Sequence, residues 1–333
     1  MSTEIAPALH IVTPGLLNTV QDLGRFGLRR FGVGVSGVMD PLALRVGNLL
    51  LGNSQDAAGI EVQVFPFALR FGADMDVAVT GADARPRLDE AVLPPWWAVN
   101  ARAGQILRLE PPRVGSRAYV TVAGGVDVPV VLGSRSTHLR GGFGGWQGRA
   151  LQEGDVLPVA SASAGSSGLG AEPPDLALPG ITKGADLTVR VVRAGEYDRF
   201  DRDSQERFWA TSWRITPQSD RAGFRLAGPG LKLLETIEMR SHGVMPGVVQ
   251  VPPAGEPIIQ MSDANTAGGY PKIAGVIEAD LWRLGQARLG STVRFTEVNY
   301  AQAQAALSDI RRYLDSLQGF ISLYGESMAC LKL

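Results

Sequence analysis

Between residues 59 and 159 the chain contains GIEVQVF (59–65), MDVAVTG (75–81), QILRLEP (105–111), RAYVTVAGG (117–125) and DVLPV (155–159). These short segments are rich in β-branched and aromatic residues, and proline or glycine separates each from the next. Such spacing is typical of an all-β barrel or sandwich. The segment Ala118 to Val122 is apolar on both faces, so it predicts a strand in the middle of a sheet.

The second half repeats this character with two more strand-like segments, LTVRVVRAG (187–195) and STVRFTEV (291–298). A few helices accompany them. Asp40 is an N-cap before Pro41, and a short helix is expected around residues 203–211. An apolar stripe predicts a last helix over residues 301–319, ending at Gly319. We therefore predict a mainly β fold.

A chain of 333 residues fits two domains of middling size. The small, polar, proline-marked stretch ASASAGSSGLGAEPPDLALPG has nothing to bury. We therefore predict an N-terminal domain over residues 1–160, a flexible linker over 161–183 and a C-terminal domain over 184–333. Similar strings recur in the two halves, VQDLGRFGLRRFG and PQSDRAGFRLAG, which favours two divergent copies of one β-rich unit.

Composition excludes several classes of partner. The chain has 45% hydrophobic residues and a net charge of -1, and its charged residues form no long run of one sign. This near-neutral, interspersed charge argues against nucleic acid or an anionic membrane surface as its partner. The N-terminus lacks a signal-peptide pattern and no apolar run would span a membrane, so we expect a cytoplasmic protein. The single cysteine, Cys330, excludes an internal disulfide.

Several common site types can also be set aside. No Walker-type phosphate loop occurs, and GVGVSG (32–37) has the spacing of a dinucleotide loop without the strand and helix that such a loop joins. The three histidines, His10, His138 and His242, lie far apart with no cysteine or paired carboxylate at ligand spacing. We expect no metal site.

The candidate catalytic residues lie in DANTAGGYPKIAGVIEADLWRLGQ (263–286). Gly268 and Gly269 allow a close backbone approach or a sharp turn. Tyr270 and Lys272 share one face if the chain is extended, and together they could polarise a carbonyl group or move a proton. The alternative interpretation is a surface tyrosine and lysine on an edge strand. Lysine is scarce in this chain, with only four residues, which favours a chemical role.

Two carboxylates flank this pair in sequence. Asp263 precedes it, and a carboxylate near Lys272 would keep the amine charged. Asp280 follows it and is equally well explained as an early-helix residue favoured by the helix dipole. His242, in SHGVMPG, could titrate near neutral pH, although a lone histidine is more often structural.

Two further loops offer polar groups for a ligand. Gln21, Asp22 and Arg25 lie in one loop, where the carboxylate and guanidinium could bind substrate or merely brace the loop. GSRST supplies hydroxyl donors and a guanidinium suited to an anionic or amide ligand, or to a turn that satisfies its own backbone. Its candidate binding residues are Ser134, Arg135 and Ser136.

The ordered strings identify a family resemblance. They are TVQDLGRFGLRRFGVGVSGVMD, AGGVDVPVVLGSRSTHLRGGFGG, SDRAGFRL, QVPPAGEPIIQMSDANTAGGYPKIAGVIEADL and GQARLGSTVRF. In this order they closely resemble the allophanate hydrolase subunit 2 family, over roughly residues 8 to 297. The resemblance implies two tandem cyclophilin-like β-barrel domains with a few peripheral helices. At His242 the chain departs from the family, whose members more often carry an acid there.

The resemblance also implies a function. It implies the C-type component of an ATP-dependent 5-oxoprolinase, a hydrolase that cleaves 5-oxo-L-proline to L-glutamate with a subunit 1 homologue (the B-type component) and an A-type component. ATP is used by the complex and is not clearly bound by this chain. One alternative is a carboxyltransferase of the urea carboxylase type, with biotin on another polypeptide. Another is a non-catalytic regulatory partner of a subunit 1 homologue.

Overall fold

The structure, a computed structural model, describes residues 7–161, 168–178, 186–235 and 238–330. The chain divides into two compact units. The first unit takes its residues from Met1–Arg25, Asp40–Leu178 and Arg311–Leu333. The second takes its residues from Phe26–Met39 and Pro179–Ile310. The glycine-rich segment Phe26–Met39 therefore belongs with the second half of the chain, although it lies within the first half of the sequence.

The first unit contains two antiparallel sheets, in strand orders β11-β1-β4-β9-β6-β7 and β2-β3-β10-β5-β8. The strands are β1 (Ala8–Thr13), β2 (Thr19–Gln21), β3 (Gly59–Val62), β4 (Phe67–Phe71), β5 (Met75–Gly81), β6 (Arg87–Leu88), β7 (Ala91–Val92), β8 (Trp97–Ala101), β9 (Ile106–Leu109), β10 (Ala118–Val122) and β11 (Val156–Pro158). Apolar residues of both sheets form one core, which includes Leu9, Phe67, Val77 and Val120. All five residues of β10 are buried, and β10 lies between β3 and β5, as the sequence predicts.

Helix α1 (Pro41–Leu50) packs on the other face of the sheet that contains β10. The Asp40 side chain accepts a hydrogen bond from the Ala43 backbone N–H at 2.9 Å, which satisfies one of the free donors of the first turn. Thr80 on β5 donates to the carbonyl of Ala43 at 2.7 Å. The N-cap prediction for this helix is confirmed.

The second unit is a closed barrel in the order β12-β19-β16-β17-β14-β13-β20. Its strands are β12 (Asp186–Arg193), β13 (Trp213–Ile215), β14 (Gly223–Ala227), β16 (Val248–Gln250), β17 (Ile258–Gln260), β19 (Lys272–Val276) and β20 (Thr292–Glu297), and β15 (His242–Gly243) pairs with β18 (Ala267–Gly268) in a separate ribbon. Parallel pairing of β12 with β20 closes the barrel, and its other pairs are antiparallel. Trp213, Phe224 and Met39 are among its core residues. A mainly β fold with few helices is therefore confirmed.

The remaining helices are short apart from the last one. They are α2 (Pro174–Ala177), α3 (Arg202–Ala210), α4 (Leu281–Gly285) and α5 (Tyr300–Cys330). The predicted end of the last helix at Gly319 is wrong, because α5 continues to Cys330. Gly319 is exposed and its backbone is not left-handed, so it acts as an unfavourable interior residue and not as a C-cap. No helix in the described ranges is both long enough and apolar enough to cross a membrane.

The predicted linker is described only in part, since residues 162–167 and 179–185 lie outside the described residues. Within the described part, Gly170 forms a β-bridge with Trp97, and the Ala98 N–H donates to the Leu169 carbonyl at 2.7 Å. Part of this stretch is thus paired with β8. The predicted domain boundaries after residues 160 and 183 stay a prediction.

Candidate active site

Lys272, the first residue of β19, lies beside two other titratable groups of the second unit. Its Nζ contacts Nε2 of His242 and lies 3.6 Å from Oε2 of Glu196. The Lys272 backbone N–H also donates to Glu196 Oε2, at 3.1 Å. The side chains of Lys272 and Glu196 are only 18% and 22% exposed, so this ion pair is partly shielded from water. We call Glu196, His242 and Lys272 the lysine cluster.

The geometry of His242 fixes which ring nitrogen carries hydrogen. Its Nδ1 lies 3.0 Å from the carbonyl oxygen of Arg240, which can only accept a hydrogen bond. Nδ1 is therefore the protonated nitrogen, and Nε2 accepts a hydrogen bond from the Lys272 ammonium. The two nitrogens therefore face each other. The histidine is thus part of the site.

Gly268 and Gly269 allow a close approach between strands of the protein itself. Gly268 pairs with His242 across the β15–β18 ribbon. A Cβ on Gly268 would lie 3.0 Å from Nε2 of Gln250, and one on Gly269 would lie 2.9 Å from the carbonyl of Met239. Neither glycine has a positive φ, so lack of space explains them better than backbone strain does. Their predicted substrate-binding role stays a prediction.

Tyr270 precedes β19 and lies in a bend. Its side chain is 46% exposed, and its carbonyl accepts from Gln250 Nε2 at 3.2 Å. The prediction that Tyr270 and Lys272 share a face assumed an extended chain, which begins only at Lys272. The chemical role of Tyr270 stays a prediction.

Asp263, the third predicted catalytic residue, forms a bidentate ion pair with Arg221. The two hydrogen bonds to its carboxylate measure 2.8 and 3.1 Å, and Arg221 is only 4% exposed. The same guanidinium donates to the carbonyl of Gly37 at 2.6 Å, and Ser262 donates to that of Val38 at 3.2 Å. This geometry suits a brace that holds the glycine-rich segment to the barrel. The catalytic role of Asp263 stays a prediction, and Glu196 is the carboxylate beside Lys272.

Asp280 likewise pairs with an arginine. It is fully buried, and both of its oxygens accept from the Arg190 guanidinium, at 2.6 and 3.0 Å. These hydrogen bonds raise the pKa of Arg190 above its ordinary value. Asp280 also accepts from the Arg190 backbone N–H at 2.7 Å. The carboxylate therefore links the turn before α4 to β12.

The candidate residues of the first unit hold two loops together. Asp22 is only 8% exposed, and its Oδ1 accepts from the Ser134 and Ser136 hydroxyls at 2.7 and 2.5 Å. Its Oδ2 accepts from the Arg135 backbone N–H at 2.5 Å. Arg25, fully buried, donates to the carbonyl of Ser136 at 2.6 Å. This network agrees with the bracing interpretation of Asp22.

Gln21 is the exception among these residues. It is fully buried, and its Nε2 donates to Thr19 Oγ1 at 2.9 Å and to the carbonyl of Thr137 at 3.2 Å. Its Oε1 has no hydrogen-bond partner within the described part of the chain. The ligand-binding roles of Gln21, Asp22, Arg25, Ser134, Arg135 and Ser136 stay predictions.

Sequence reasoning missed Glu196. It lies 76 residues before Lys272, just after β12, and only the antiparallel pairing of β12 with β19 brings the two together. Its sole sequence signal was a carboxylate at the end of a predicted strand. Among the described residues, no cluster of three or more histidine, cysteine or carboxylate side chains is arranged to hold a metal ion. GVGVSG follows the 3-10 turn Arg29–Phe31.

Comparison with known proteins identifies the family. The chain is 44% identical to the C-type component of 5-oxoprolinase from Haemophilus influenzae over 303 residues, covering 91% of this chain and 95% of the relative. It is 42% identical to the same component from Escherichia coli over 309 residues, covering 93% and 97%. The structure matches urea carboxylase of Kluyveromyces lactis with a TM-score of 0.87 and 31% identity, covering 95% of this chain and 30% of that protein. The family described as "Carboxyltransferase domain, subdomain A and B" matches residues 31–297, and the chain belongs to it.

Proposed function

We propose that this chain is the C-type component of an ATP-dependent 5-oxoprolinase, which cleaves 5-oxo-L-proline to L-glutamate together with A-type and B-type partners. Two relatives that are named as this component of 5-oxoprolinase match the chain over nearly the whole length of both proteins. This chain spans 30% of the urea carboxylase relative, so most of that protein lies outside the match. We expect the complex to act in the cytoplasm.

The lysine cluster is the observation that supports a catalytic role. In 5-oxo-L-proline the ring amide is stabilised by resonance, so its carbonyl oxygen must be polarised before water can add. The Lys272 ammonium, held by Glu196 and His242, is a suitable donor to that oxygen. ATP supplies the free energy of the reaction within the complex, and we assign it to no residue of this chain.

The same residues can complete the proton balance of the cleavage. Water adds to the ring carbonyl carbon, the bond between that carbon and the ring nitrogen breaks, and the nitrogen leaves as an amine after gaining a proton. Lys272 can donate this proton and regain one from the attacking water through His242. Glu196 holds the Lys272 amine in place, since its Oε2 lies 3.6 Å from Nζ.

A Lys272→Ala variant tests this role. The complex should form as before, but ATP-dependent glutamate release should fall by roughly 100-fold or more, as expected for loss of a general acid. Lys232→Ala is the matched control, since Lys232 is an exposed lysine of the same unit and should leave the rate unchanged. Normal activity of the Lys272 variant would instead support the non-catalytic regulatory partner.

Carboxyl transfer is the second candidate function, and the match to the Kluyveromyces lactis urea carboxylase favours it. Under this alternative, biotin arrives on another polypeptide and the acceptor is urea or a similar amide. The reconstituted complex would be supplied with a carboxylated biotin carrier, and transfer of labelled carboxylate to urea would be measured. Transfer without ATP-dependent glutamate release would replace the first proposal with the second.

A further inference from the structure

Arg29, in the glycine-rich segment Phe26–Met39, is a partly buried arginine whose terminal guanidinium nitrogens have no described partner. Its terminal nitrogens, Nη1 and Nη2, are shielded from solvent, and neither has a hydrogen-bond partner in the described ranges. A guanidinium stays charged at every pH at which proteins are folded. Because an unpaired buried cation opposes folding, such a group is normally paired. An anion from outside the described chain would remove this cost.

Other arginines of the protein differ from Arg29 in this respect. Arg221 is almost fully buried and donates to Asp263, and Arg190 donates to Asp280. The hydrogen bonds to Asp280 raise the pKa of Arg190, whereas burial lowers the pKa of Arg29. Each of these two arginines is therefore paired with a carboxylate of the protein. Arg29 is left for another partner.

The segment that carries Arg29 is anchored to the barrel at its C-terminal end. Arg221 and Ser262 hold the carbonyls of Gly37 and Val38, and Met39 lies in the barrel core. Ser36, only 3% exposed and with a positive φ of 53°, is a second polar residue of this segment whose side-chain oxygen has no described partner. The segment thus carries two residues, Arg29 and Ser36, whose shielded side-chain atoms have no described hydrogen-bond partner, whereas buried polar groups are normally hydrogen-bonded.

We propose that Arg29 binds the carboxylate of a small-molecule ligand. The two free terminal nitrogens form a planar fork that matches the two oxygens of a carboxylate. This inference rests on the proposed function for the identity of the ligand, which is then 5-oxo-L-proline, a lactam with one carboxylate. Arg29 would hold the carboxylate of the ligand. The ring amide of the same ligand would then remain free to react.

Ligand binding to the full chain tests this proposal without any need for turnover. Binding of 5-oxo-L-proline, of 2-pyrrolidinone, which is the same lactam without the carboxylate, and of inorganic phosphate would be measured by calorimetry at constant ionic strength. The wild type should bind 5-oxo-L-proline more tightly than the other two compounds. Arg29→Gln should weaken this binding by roughly tenfold or more, as expected for loss of a charge-assisted bidentate contact.

Two variants serve as controls. Arg30→Gln removes the neighbouring charge, which is exposed and lies over the Phe31 ring, and it should leave binding unchanged. Arg29→Lys keeps the charge without the planar fork and should also weaken binding. If Arg29→Gln fails to fold, the comparison rests on Arg29→Lys.

The outcomes separate this inference from the proposed function. Carboxylate-dependent binding that is lost in the Arg29 variants supports the site even if the complex never releases glutamate. Equal binding of 5-oxo-L-proline and 2-pyrrolidinone, or unchanged binding in both Arg29 variants, overturns it. Tighter binding of phosphate overturns the assignment to a carboxylate. A further outcome is that the Arg29 variants lose complex formation while they still bind the ligand normally. That result would place the anionic partner of Arg29 on another protein of the complex, and it would also overturn the proposal.

Discussion

Tyr119 shows how one side chain can connect a helix cap to a buried charge. Its ring is fully buried on β10, and its hydroxyl donates to Oε2 of Glu61 at 2.8 Å. The same hydroxyl accepts from the backbone N–H of Asp40, the N-cap of α1, at 2.9 Å. Burial raises the pKa of Tyr119 well above its usual value, and the negative charges of Glu61 and Asp40 raise it further. The phenol therefore remains a donor in the folded protein.

Replacing Tyr119 with phenylalanine should destabilise the first unit by about 2 kcal/mol, because it removes two buried hydrogen bonds and one of them involves a charge. Urea unfolding near neutral pH would measure the loss. Tyr300→Phe is the control, since Tyr300 is 76% exposed and should change stability by less than about 0.5 kcal/mol. Equal effects of the two variants would contradict this account.

Tyr119 also predicts a pH dependence. Because its folded pKa is raised, its contribution to stability is complete below the unfolded pKa of about 10 and is lost as pH rises toward the folded value. Above about pH 10 the unfolded tyrosine ionises while the folded one does not. Wild-type stability should therefore fall more steeply with alkaline pH than that of Tyr119→Phe. Parallel unfolding curves between pH 9 and 11 would argue against this mechanism.

At the scale of elements, α5 continues through a residue that the sequence predicts as its end. Gly319 is exposed, and a Cβ built on it meets no atom within 4 Å. Glycine stops a helix when it adopts a left-handed conformation, and Gly319 does not adopt one. Glycine in a helical conformation costs only about 1 kcal/mol relative to alanine, so the helix can continue through it.

Gly319→Ala should therefore stabilise this part of α5 by about 0.8 kcal/mol, because alanine loses less backbone entropy in a helix than glycine does. Hydrogen exchange of the surrounding amides should slow by roughly fourfold. Gln318→Ala is the matched control, since glutamine is already a good helix former and its side chain is exposed. Faster exchange in the Gly319 variant would show that this site needs a glycine for another reason.

At the scale of the whole molecule, the second unit is not continuous in sequence. Its barrel comes from the second half of the chain, while Phe26–Met39 supplies a core residue, Met39, and the carbonyl that Arg221 binds. A fragment cut at the predicted domain boundary would therefore lack part of its own core. The segment Phe26–Met39 thus belongs to the second unit in space, although it precedes most of the first unit in sequence.

The fragment of residues 184–333 should consequently be less stable alone than with a peptide of residues 26–39 added in trans. Loss of a buried methionine and of a charged hydrogen bond accounts for about 3 kcal/mol. The thermal midpoint of the fragment should rise with peptide concentration, and it should rise less in Arg221→Met. A fragment that is fully stable and does not respond to the peptide would favour the predicted boundary.

The sequence by itself determined the mainly β class, the α1 cap and the family, since strand alternation, capping and ordered glycine loops are local patterns. It also singled out Lys272 by the scarcity of lysine. Only the tertiary structure decided which groups face that lysine. Glu196 and His242 meet it through strand pairing across 76 and 30 residues, while Asp263 is directed to Arg221. Charged side chains interact when they are close in space. Strand pairing can bring together residues that lie far apart in sequence, so the sequence alone does not reveal which charges will meet.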